Sequence, residues 1–416
     1  MTIRKRRQPM LSRSLTLAAL GTLTLGLAIL CAPVTASAKK TVLYSGDSIQ
    51  GAVDDASPGD TIILMPGEYF GPPNIVDNEN PEGTAKRAVR IKQDGIRLIG
   101  KPDGDNKVII RPHPEFPNQH GILVEPEGGS SCDCVIEGSV IKGITVEGFE
   151  GDGIKVEYVN NFQILNNESI NNLENGIIPE FSANGLVKNN LSYGSLDSAM
   201  WLEGVTNVRA IGNVLHSSVT GLEVTISKDV VIVDNEMYDN TVGLGLYHSS
   251  AASHDTREPV MDGWKVMNNY IHDNNEYYPG AGGLPSLLPP GGGILLMGVS
   301  GHKIAGNRVE NNDFFGIAVV DFCMALTGAP GPCSPNPNWS GHDPVPRDNR
   351  IQGNTFVNNG SGWRPEWGPP HPLAGFAADI VEAVFDPSAG NSFHGNTCAT
   401  YSFIPGGVEQ VPAPCP

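Results

Sequence analysis

Most of the chain consists of short runs in which apolar and polar residues alternate, separated by glycine and asparagine. The segment GIKVEYVNNFQILNNESINN, residues 153–172, shows the alternation first and paired asparagines afterwards. Alternation over four to six residues is typical of β-strands and not of helices. The pattern therefore predicts an all-β chain built from very short strands.

The asparagines define a repeat of about 22 residues. One Asn recurs at gaps of 23, 23, 22, 34, 38, 47 and 42 residues, where the longer gaps are one unit plus an insert or roughly two units; the positions are Asn167, Asn190, Asn213, Asn235, Asn269, Asn307, Asn354 and Asn396. Three positions earlier stands a residue predicted to form a buried column: Ile164, Val187, Ala210, Ile232, Val266, Ile304, Ile351 and Phe393. A unit of three short strands cannot bury its apolar face alone, so the units are predicted to stack about 4.8 Å apart.

The recurring Asn has a structural interpretation. Asparagine tolerates a left-handed backbone at a turn, and its amide can bond the Asn of the coils above and below. We therefore interpret these residues as scaffold.

The N-terminal part differs from the repeat. In SIQGAVDDASPGDTIILMPGEYFG, residues 48–71, the apolar residues from Ile49 to Ala56 have helical spacing and a strand follows, which predicts an amphipathic helix capping the first coil. This string and the Asn-terminated coils resemble the right-handed parallel β-helix repeat family of the pectin-lyase-like superfamily over residues 40–405. The resemblance implies an all-β right-handed parallel β-helix, a solenoid with an N-terminal capping helix. It implies no single activity, because such coils carry lyases, hydrolases, epimerases, esterases and non-catalytic binding proteins.

The N-terminus has the layout of a secretory signal peptide. A basic start, MTIRKRRQPML, precedes an apolar run and the small residues Ala36, Ser37 and Ala38. We expect cleavage after Ala38 and a periplasmic or secreted protein. The predicted organisation is a signal peptide (1–38), an N-terminal cap (39–72), coils (73–405) with inserts at 248–262, 276–290, 322–347 and 360–377, and a C-terminal tail (406–416).

Charge and cysteine content narrow the function. Five of the 27 Lys and Arg residues lie in the first 38 positions, which leaves 22 against 45 Asp and Glu, a net charge near −23. Such a chain repels nucleic acid and anionic lipid, and the absence of a second long apolar run argues against membrane insertion. Six cysteines remain and suit disulfides in an oxidising compartment; they group as Cys132 with Cys134, Cys323 with Cys333, and Cys398 with Cys415, although sequence leaves the pairing open.

A row of glutamates is the main candidate site. In the Gly-apolar-x-apolar strand of each unit, the position after the second apolar residue faces outward and gives Glu125, Glu157, Glu180, Glu203, Thr225 and Tyr247. At about 5 Å, neighbouring carboxylates repel by about 0.8 kcal/mol in water and about 3 kcal/mol at a dielectric near 20. Three explanations stay open. The row splays into water, or Glu157, Glu180 and Glu203 bind Ca²⁺, or one carboxyl keeps its proton beside an ionised neighbour and forms an acid–base pair.

The inserts give a second indication, because all four flank this strand and would wall a groove over it. The candidate catalytic residues are Glu157, Glu180, Glu203, Tyr247 and His248, and the candidate substrate-binding residues are Lys155, Trp201, Glu223, Trp363 and Trp367. Paired carboxyls suit a glycoside hydrolase, whereas Lys155, Tyr247 and His248 with bridging Ca²⁺ suit a uronate lyase or epimerase. Alginate-epimerase-like members carry Asp-Pro-His-Asp, and this chain has Gly-His-Asp-Pro at 341–344 instead.

The sequence therefore predicts an exported protein that binds a polysaccharide and degrades or modifies it. The alternative is a non-catalytic periplasmic binding, assembly or maturation factor. Nucleic acid is not expected as a partner.

Overall fold

The computed structural model describes residues 38–75, 85–129, 134–248, 261–278, 289–322, 324, 343–371 and 373–403. This part of the chain is almost entirely strand. Its helices whose full extent is described are one α-helix, α1 (Ile49–Asp54), and two short 3-10 helices, Pro365–Trp367 and Ala374–Phe376. None of its helices is long and apolar enough to cross a membrane.

The strands form three sheets, each with parallel pairing between neighbours. Sheet A contains β1 (Lys40–Leu43), β2 (Thr61–Leu64), β5 (Arg97–Gly100), β8 (Ile136–Lys142), β11 (Val159–Leu165), β14 (Ala183–Lys188), β17 (Thr206–Ile211), β20 (Val231–Val233), β23 (Lys265–Met267), β26 (Lys303–Ala305), β29 (Arg350–Gln352) and β32 (Ser392–His394). Sheet B contains β3 (Gly67–Phe70), β6 (Val108–Arg111), β9 (Thr145–Glu147), β12 (Glu168–Ile170), β15 (Leu191–Tyr193), β18 (Val214–His216), β21 (Glu236–Tyr238), β24 (Tyr270–His272), β27 (Arg308–Glu310) and β30 (Thr355–Val357). Sheet C contains β4 (Arg87–Ile91), β7 (His120–Val124), β10 (Ile154–Glu157), β13 (Ile177–Glu180), β16 (Ser198–Glu203), β19 (Thr220–Thr225), β22 (Val242–Tyr247), β25 (Gly292–Met297), β28 (Phe315–Val320), β31 (Ala378–Ala383) and β33 (Tyr401–Phe403).

Successive strands belong to successive sheets, so three strands make one coil. For example, β10 lies in sheet C, β11 in sheet A and β12 in sheet B, and β13 then pairs with β10. The predicted parallel β-helix with three strands per unit is confirmed. The predicted core column is also buried: the side chains from Ile164 to Ile351 in that series have 0 % exposure, and Phe393 at its end is partly buried.

The asparagine ladder forms, with one correction. From Asn167 to Asn354, each backbone N–H and side-chain amide donates to the side-chain oxygen of the next Asn at 2.8–3.1 Å. The left-handed residue, however, is the one before the ladder Asn, such as Asn166 (φ 52°) and Asn189 (φ 54°). The prediction that the ladder Asn itself takes this backbone was wrong, because its amide must point into the stack. The two Asn of each pair therefore have separate tasks.

A second ladder lies at the turn between sheets B and C. Asn240, Asn274, Asn312 and Asn359 donate to one another in the same way, and the series ends on the Asp379 carboxylate. Continuous ladders of side-chain amides therefore tie two corners of these later coils, and at the third corner the buried Asn349 bonds His302 on one side and Asn391 on the other.

Helix α1 begins at an N-cap, Ser48, whose hydroxyl accepts a hydrogen bond from the Gly51 N–H. Its buried residues, Ile49 and Val53, join the core of the coils. The helix is thus present where the sequence predicts it, while its role as a cap stays a prediction.

Several predictions fall outside the described residues. These are the signal peptide up to Ser37, the tail at 406–416 and large parts of the first three inserts. Four of the six cysteines, Cys132, Cys323, Cys333 and Cys415, lie there too, so the disulfide pairing stays a prediction.

Candidate functional site

The predicted glutamate row is in register along the outer face of sheet C. Glu157 pairs with Glu180, and Glu180 pairs with Glu203. The Val124–Val156 pair places Glu125 at the head of the row, and Thr225 and Tyr247 continue it. Because parallel strands lie about 4.8 Å apart, these side chains are immediate neighbours.

Lys155 lies beside the middle of the row, two residues before Glu157 on strand β10. Its ammonium contacts the Glu180 carboxylate and is 3.9 Å from Glu157 Oε2. Burial acts to lower the pKa of Lys155, but Glu180, Asp152 and Glu157 together raise it above its usual value. The repulsion within the row is thus partly offset by a lysine in the neighbouring column, which the sequence suggested as a substrate-binding residue and as one of the groups for lyase or epimerase chemistry.

Glu180 has a perturbed pKa. Burial is the main cause, Lys155 opposes it, and the neighbouring Glu203 and Glu157 carboxylates reinforce it; together they raise the pKa of Glu180 to about 7. Burial also raises the pKa of Glu157, with Lys155 again acting in the opposite direction. Near neutral pH, Glu180 therefore holds a proton for a substantial fraction of the time.

The glutamates at the two ends of the row, Glu125 and Glu203, are buried. Glu125 is 5 % exposed and forms ion pairs with Arg90 (2.6 Å between Nε and Oε1) and Arg87 (3.6 Å). Glu203 is 1 % exposed. Open carboxyls are therefore confined to the middle of the row, at Glu157 and Glu180.

Trp201 lies beside Glu203 on the same strand and is partly exposed. Its indole N–H donates to Thr225 Oγ1 at 2.9 Å, so the ring leans toward the next coil and is fixed in orientation. It remains a candidate platform for a sugar ring.

Tyr247 and His248 do not reach the open face, since both are completely buried. The Tyr247 ring folds back over Gly245, where an added Cβ would lie 2.1 Å from Tyr247 Cζ. The His248 ring lies against Phe322, with 5.1 Å between centroids. Neither side chain is placed to act on a ligand at the surface of this structure.

The other two candidate tryptophans, Trp363 and Trp367, pack the insert at 360–377 onto the C-terminal half of this face. Trp367 is 4 % exposed and donates its N–H to the Asn275 carbonyl at 3.2 Å. Trp363 donates to the Gly368 carbonyl and contacts Phe314 edge-on. Trp363 also stacks on His371. Phe314 and His371 line an apolar cavity of about 40 Å³ together with Leu295, Phe315, Leu373 and Val381. Packing, and not ligand contact, accounts for Trp367.

The sequence reasoning missed a second group of acidic residues on the same face. These residues, Asp152, Glu174 and Asp197, lie just before strands β10, β13 and β16, and we call them the acidic edge. His120 Nδ1 accepts the Asp152 N–H at 3.0 Å, and Asp152 Oδ1 accepts two bonds from Asn175. Among the described residues, His120, Asp152 and Glu174 form the group that brings three metal-ligating atoms within 4.8 Å of one another; the glutamate row does not. If a divalent cation binds this face, these three residues suit it better than the row, although Lys155 already lies close to Asp152.

Asp197 continues this edge, one coil beyond Glu174. Burial, together with the Glu174 and Asp152 carboxylates, raises the pKa of Asp197 to about 7. Behind it, the Ser198 hydroxyl lies 2.8 Å from Glu223 Oε2. Glu223, predicted to bind substrate, is only 4 % exposed, which leaves little surface for a ligand to contact. The 23-residue spacing of Glu174 and Asp197 was the signal that could have identified this edge.

Comparisons with known proteins agree on the fold. A family model described as "Right handed beta helix region" matches residues 104–256. The A-module of mannuronan C-5 epimerase AlgE4 from Azotobacter vinelandii has a TM-score of 0.56 at 17 % identity, covering 84 % of this chain and 90 % of that chain. The AlgE6 A-module from the same organism has a TM-score of 0.54 at 15 % identity, covering 80 % and 74 %. DFA-IIIase from Arthrobacter chlorophenolicus A6 has a TM-score of 0.47 at 14 % identity, covering 87 % and 82 %.

No curated protein matches the sequence. The predicted resemblance and the right-handed parallel β-helix are confirmed. At these identities the similarity shows the fold and not the activity.

Proposed function

Starting from a right-handed parallel β-helix with a half-buried carboxyl row on one face, we propose that the protein binds a polysaccharide along the outer face of sheet C and hydrolyses it. The observation that carries this proposal is the Glu157–Glu180 pair. Its two carboxyls occupy paired positions on adjacent strands and differ in their surroundings. Two neighbouring carboxyls with separated pKa values are what acid–base chemistry requires.

Glu180 is the general acid in this proposal. It donates its proton to the glycosidic oxygen as the bond to the anomeric carbon breaks, while the Glu157 carboxylate attacks that carbon. Water then releases the sugar from Glu157 and returns its proton to Glu180. The buried Glu203 carboxylate, which raises the pKa of Glu180, keeps the acid protonated. A strand spacing of about 4.8 Å is close to the roughly 5 Å carboxyl separation of retaining enzymes, so retention of anomeric configuration is expected.

Two further observations support a sugar ligand. Trp201 is partly exposed and held in orientation next to the carboxyl row. The two epimerase modules act on mannuronan according to their names, and a β-helix is therefore compatible with such a ligand.

Lys155 supports a second candidate, uronate lysis or epimerisation. Its ammonium is the cation in the middle of the row, and a cation is needed to neutralise a substrate carboxylate. In this case bound Ca²⁺ would supply additional positive charge. Against this candidate, Tyr247 and His248, its predicted bases, are buried.

The test is a panel of neutral and uronate polysaccharides, with and without Ca²⁺, read by reducing ends and by absorbance of unsaturated products. Hydrolysis predicts reducing ends without the absorbance, and Glu157→Gln and Glu180→Gln should each reduce the rate at least about 100-fold. Glu236→Gln, on the outer face of sheet B, is the matched control and should leave the rate unchanged. Unsaturated products would favour the lyase, and binding without any product would leave a non-catalytic binding protein.

We further propose export, with cleavage after Ala38. N-terminal sequencing of the protein recovered from the periplasm or medium should give Lys39 as the first residue.

A further inference from the structure

A buried polar cluster lies behind the strand starts of sheet C. Ser198, Thr220 and Tyr247 have 0 % exposure, and Glu223 has 4 %. Pairing of Ser198 with Thr220 and of Trp201 with Glu223 fixes the cluster between adjacent strands. A cluster of this polarity is costly to bury unless its groups satisfy one another or a ligand.

A carboxyl oxygen beside the cluster lacks a partner. Asp197 Oδ1 is sealed from solvent and has no hydrogen-bond partner among the described residues. Asp197 comes directly before Ser198 and, unlike the cluster, is partly exposed. It is therefore the point at which the buried cluster reaches the face.

The charges that act most strongly on the Asp197 carboxyl are negative. Glu174, Asp152 and Glu203 act on its carboxyl, and Glu223 lies behind it. Burial raises the pKa of Glu223 well above its usual value, and Asp197 raises it further, whereas the Ser198 hydroxyl lowers the pKa of both carboxyls. Two carboxyls that share one hydroxyl in this way are expected to divide protons unequally, with the buried Glu223 protonated first.

We propose that Asp197 is a second ligand-contacting carboxyl of the face, which accepts a hydrogen bond from a sugar hydroxyl, and that Ser198 and Glu223 are its positioning residues. The structure has the Ser198 hydroxyl donating to Glu223 Oε2 at 2.8 Å. Once Glu223 carries a proton, its carboxylic acid donates across that contact instead, and the Ser198 hydroxyl is free to donate to the Asp197 carboxylate. Glu223 thereby holds Asp197 in place without contacting the ligand. The ligand would then be held between Asp197 at the strand starts and the Glu157–Glu180 pair at the strand ends.

This inference rests on the proposed function for its ligand class but has a readout that needs no substrate. Glu180 and Asp197, with pKa values of about 7, also contribute protonated carboxyl bands near neutral pH, so the readout is the difference infrared spectrum between wild type and Glu223→Gln. This difference should contain the carbonyl band of one buried carboxylic acid. If the difference spectrum lacks that band, the positioning role of Glu223 is refuted whether or not a substrate is known.

The second test measures oligosaccharide affinity by calorimetry, together with kcat and KM. Asp197→Asn should weaken affinity about 10- to 100-fold, the value of a charge-assisted hydrogen bond. Glu223→Gln should stay within about threefold of wild type because its amide can still donate to Ser198, whereas Glu223→Leu should approach the loss seen in Asp197→Asn. Ser198→Ala breaks the same link with a smaller change, and it serves if Glu223→Leu does not fold.

The outcomes separate the two proposals. Loss of hydrolysis in Glu180→Gln with normal affinity in Asp197→Asn would overturn the inference and leave the hydrolase. Binding that depends on Asp197, in a protein without hydrolytic activity, would overturn the hydrolase and support the inference. Equal losses in Glu223→Gln and Glu223→Leu would mean that Glu223 acts as an ionised group, contrary to its proposed positioning role.

Discussion

Truncation of one ladder asparagine, Asn213→Ala, should destabilise the coil far more than its small loss of volume suggests. The Asn213 side chain makes four hydrogen bonds, two accepted from Asn190 and two donated to the Val187 carbonyl and Asn235. All four are buried, and alanine removes every one of them.

The magnitude follows from these contacts. Four hydrogen bonds at about 1 kcal/mol each give a loss of about 4 kcal/mol, and the Asn190 N–H left unpaired in the core adds about 1–3 kcal/mol. A loss of about 5–7 kcal/mol in the free energy of unfolding is therefore expected. The preceding pair offers the matched control: Asn189 has φ 54°, so Asn189→Gly should cost little because glycine accepts this backbone.

Guanidinium unfolding followed by circular dichroism measures both variants. The midpoint for Asn213→Ala should fall with little change in slope, while that for Asn189→Gly should stay near wild type. A loss below about 1 kcal/mol in Asn213→Ala would refute the ladder as a source of stability. An equal loss in both variants would refute the division of tasks within the Asn pair.

Four other predictions concern the face. Hydrolysis should fall above about pH 7, as Glu180 loses its proton, and also on the acidic side, where Glu157 becomes protonated below its raised pKa. In Lys155→Met, loss of the opposing ammonium should raise the pKa of Glu180 further and move the alkaline limb to higher pH; an unmoved limb would contradict this assignment. Trp201→Ala should weaken oligosaccharide affinity about tenfold, whereas Trp367→Ala should lower stability by about 3–5 kcal/mol and leave affinity unchanged. Because the raised pKa of Glu180 makes the folded state bind more protons than the unfolded state, stability should decline as pH rises from about 5 to 8, as thermal unfolding would show.

The repeat made the register of the face predictable. Once the 23-residue spacing is known, Glu157, Glu180 and Glu203 must fall in one column, and the structure places them there. The repeat also contained the signal for the acidic edge, since Glu174 and Asp197 obey the same spacing. The acidic edge was missed because only positions within the strands were compared, and its residues lie just before them.

Exposure was not predictable in the same way. Alternation says that Tyr247 faces away from the core of the coils, yet its ring lies flat over Gly245 and is completely buried. Its burial depends on an apolar cluster that includes Phe314 and Leu373, which neighbour or belong to inserts of irregular length. Such inserts carry no repeat from which their path over the face can be read.

The corners of the coils and the outer face of sheet C differ in how well their buried polar groups are hydrogen-bonded. Along the corners, nearly every buried amide has a partner in the next coil, so sequence pattern, backbone and hydrogen bonding agree. On one half of sheet C the agreement ends: Asp197 Oδ1 is sealed without a hydrogen-bond partner among the described residues, and carboxyls are crowded into adjacent coils. Such local conflict costs stability, and proteins retain it mainly at functional sites. A rigid stack of ladders can tolerate that cost, and this is the physical reason to look for the activity of the protein on this half of the face.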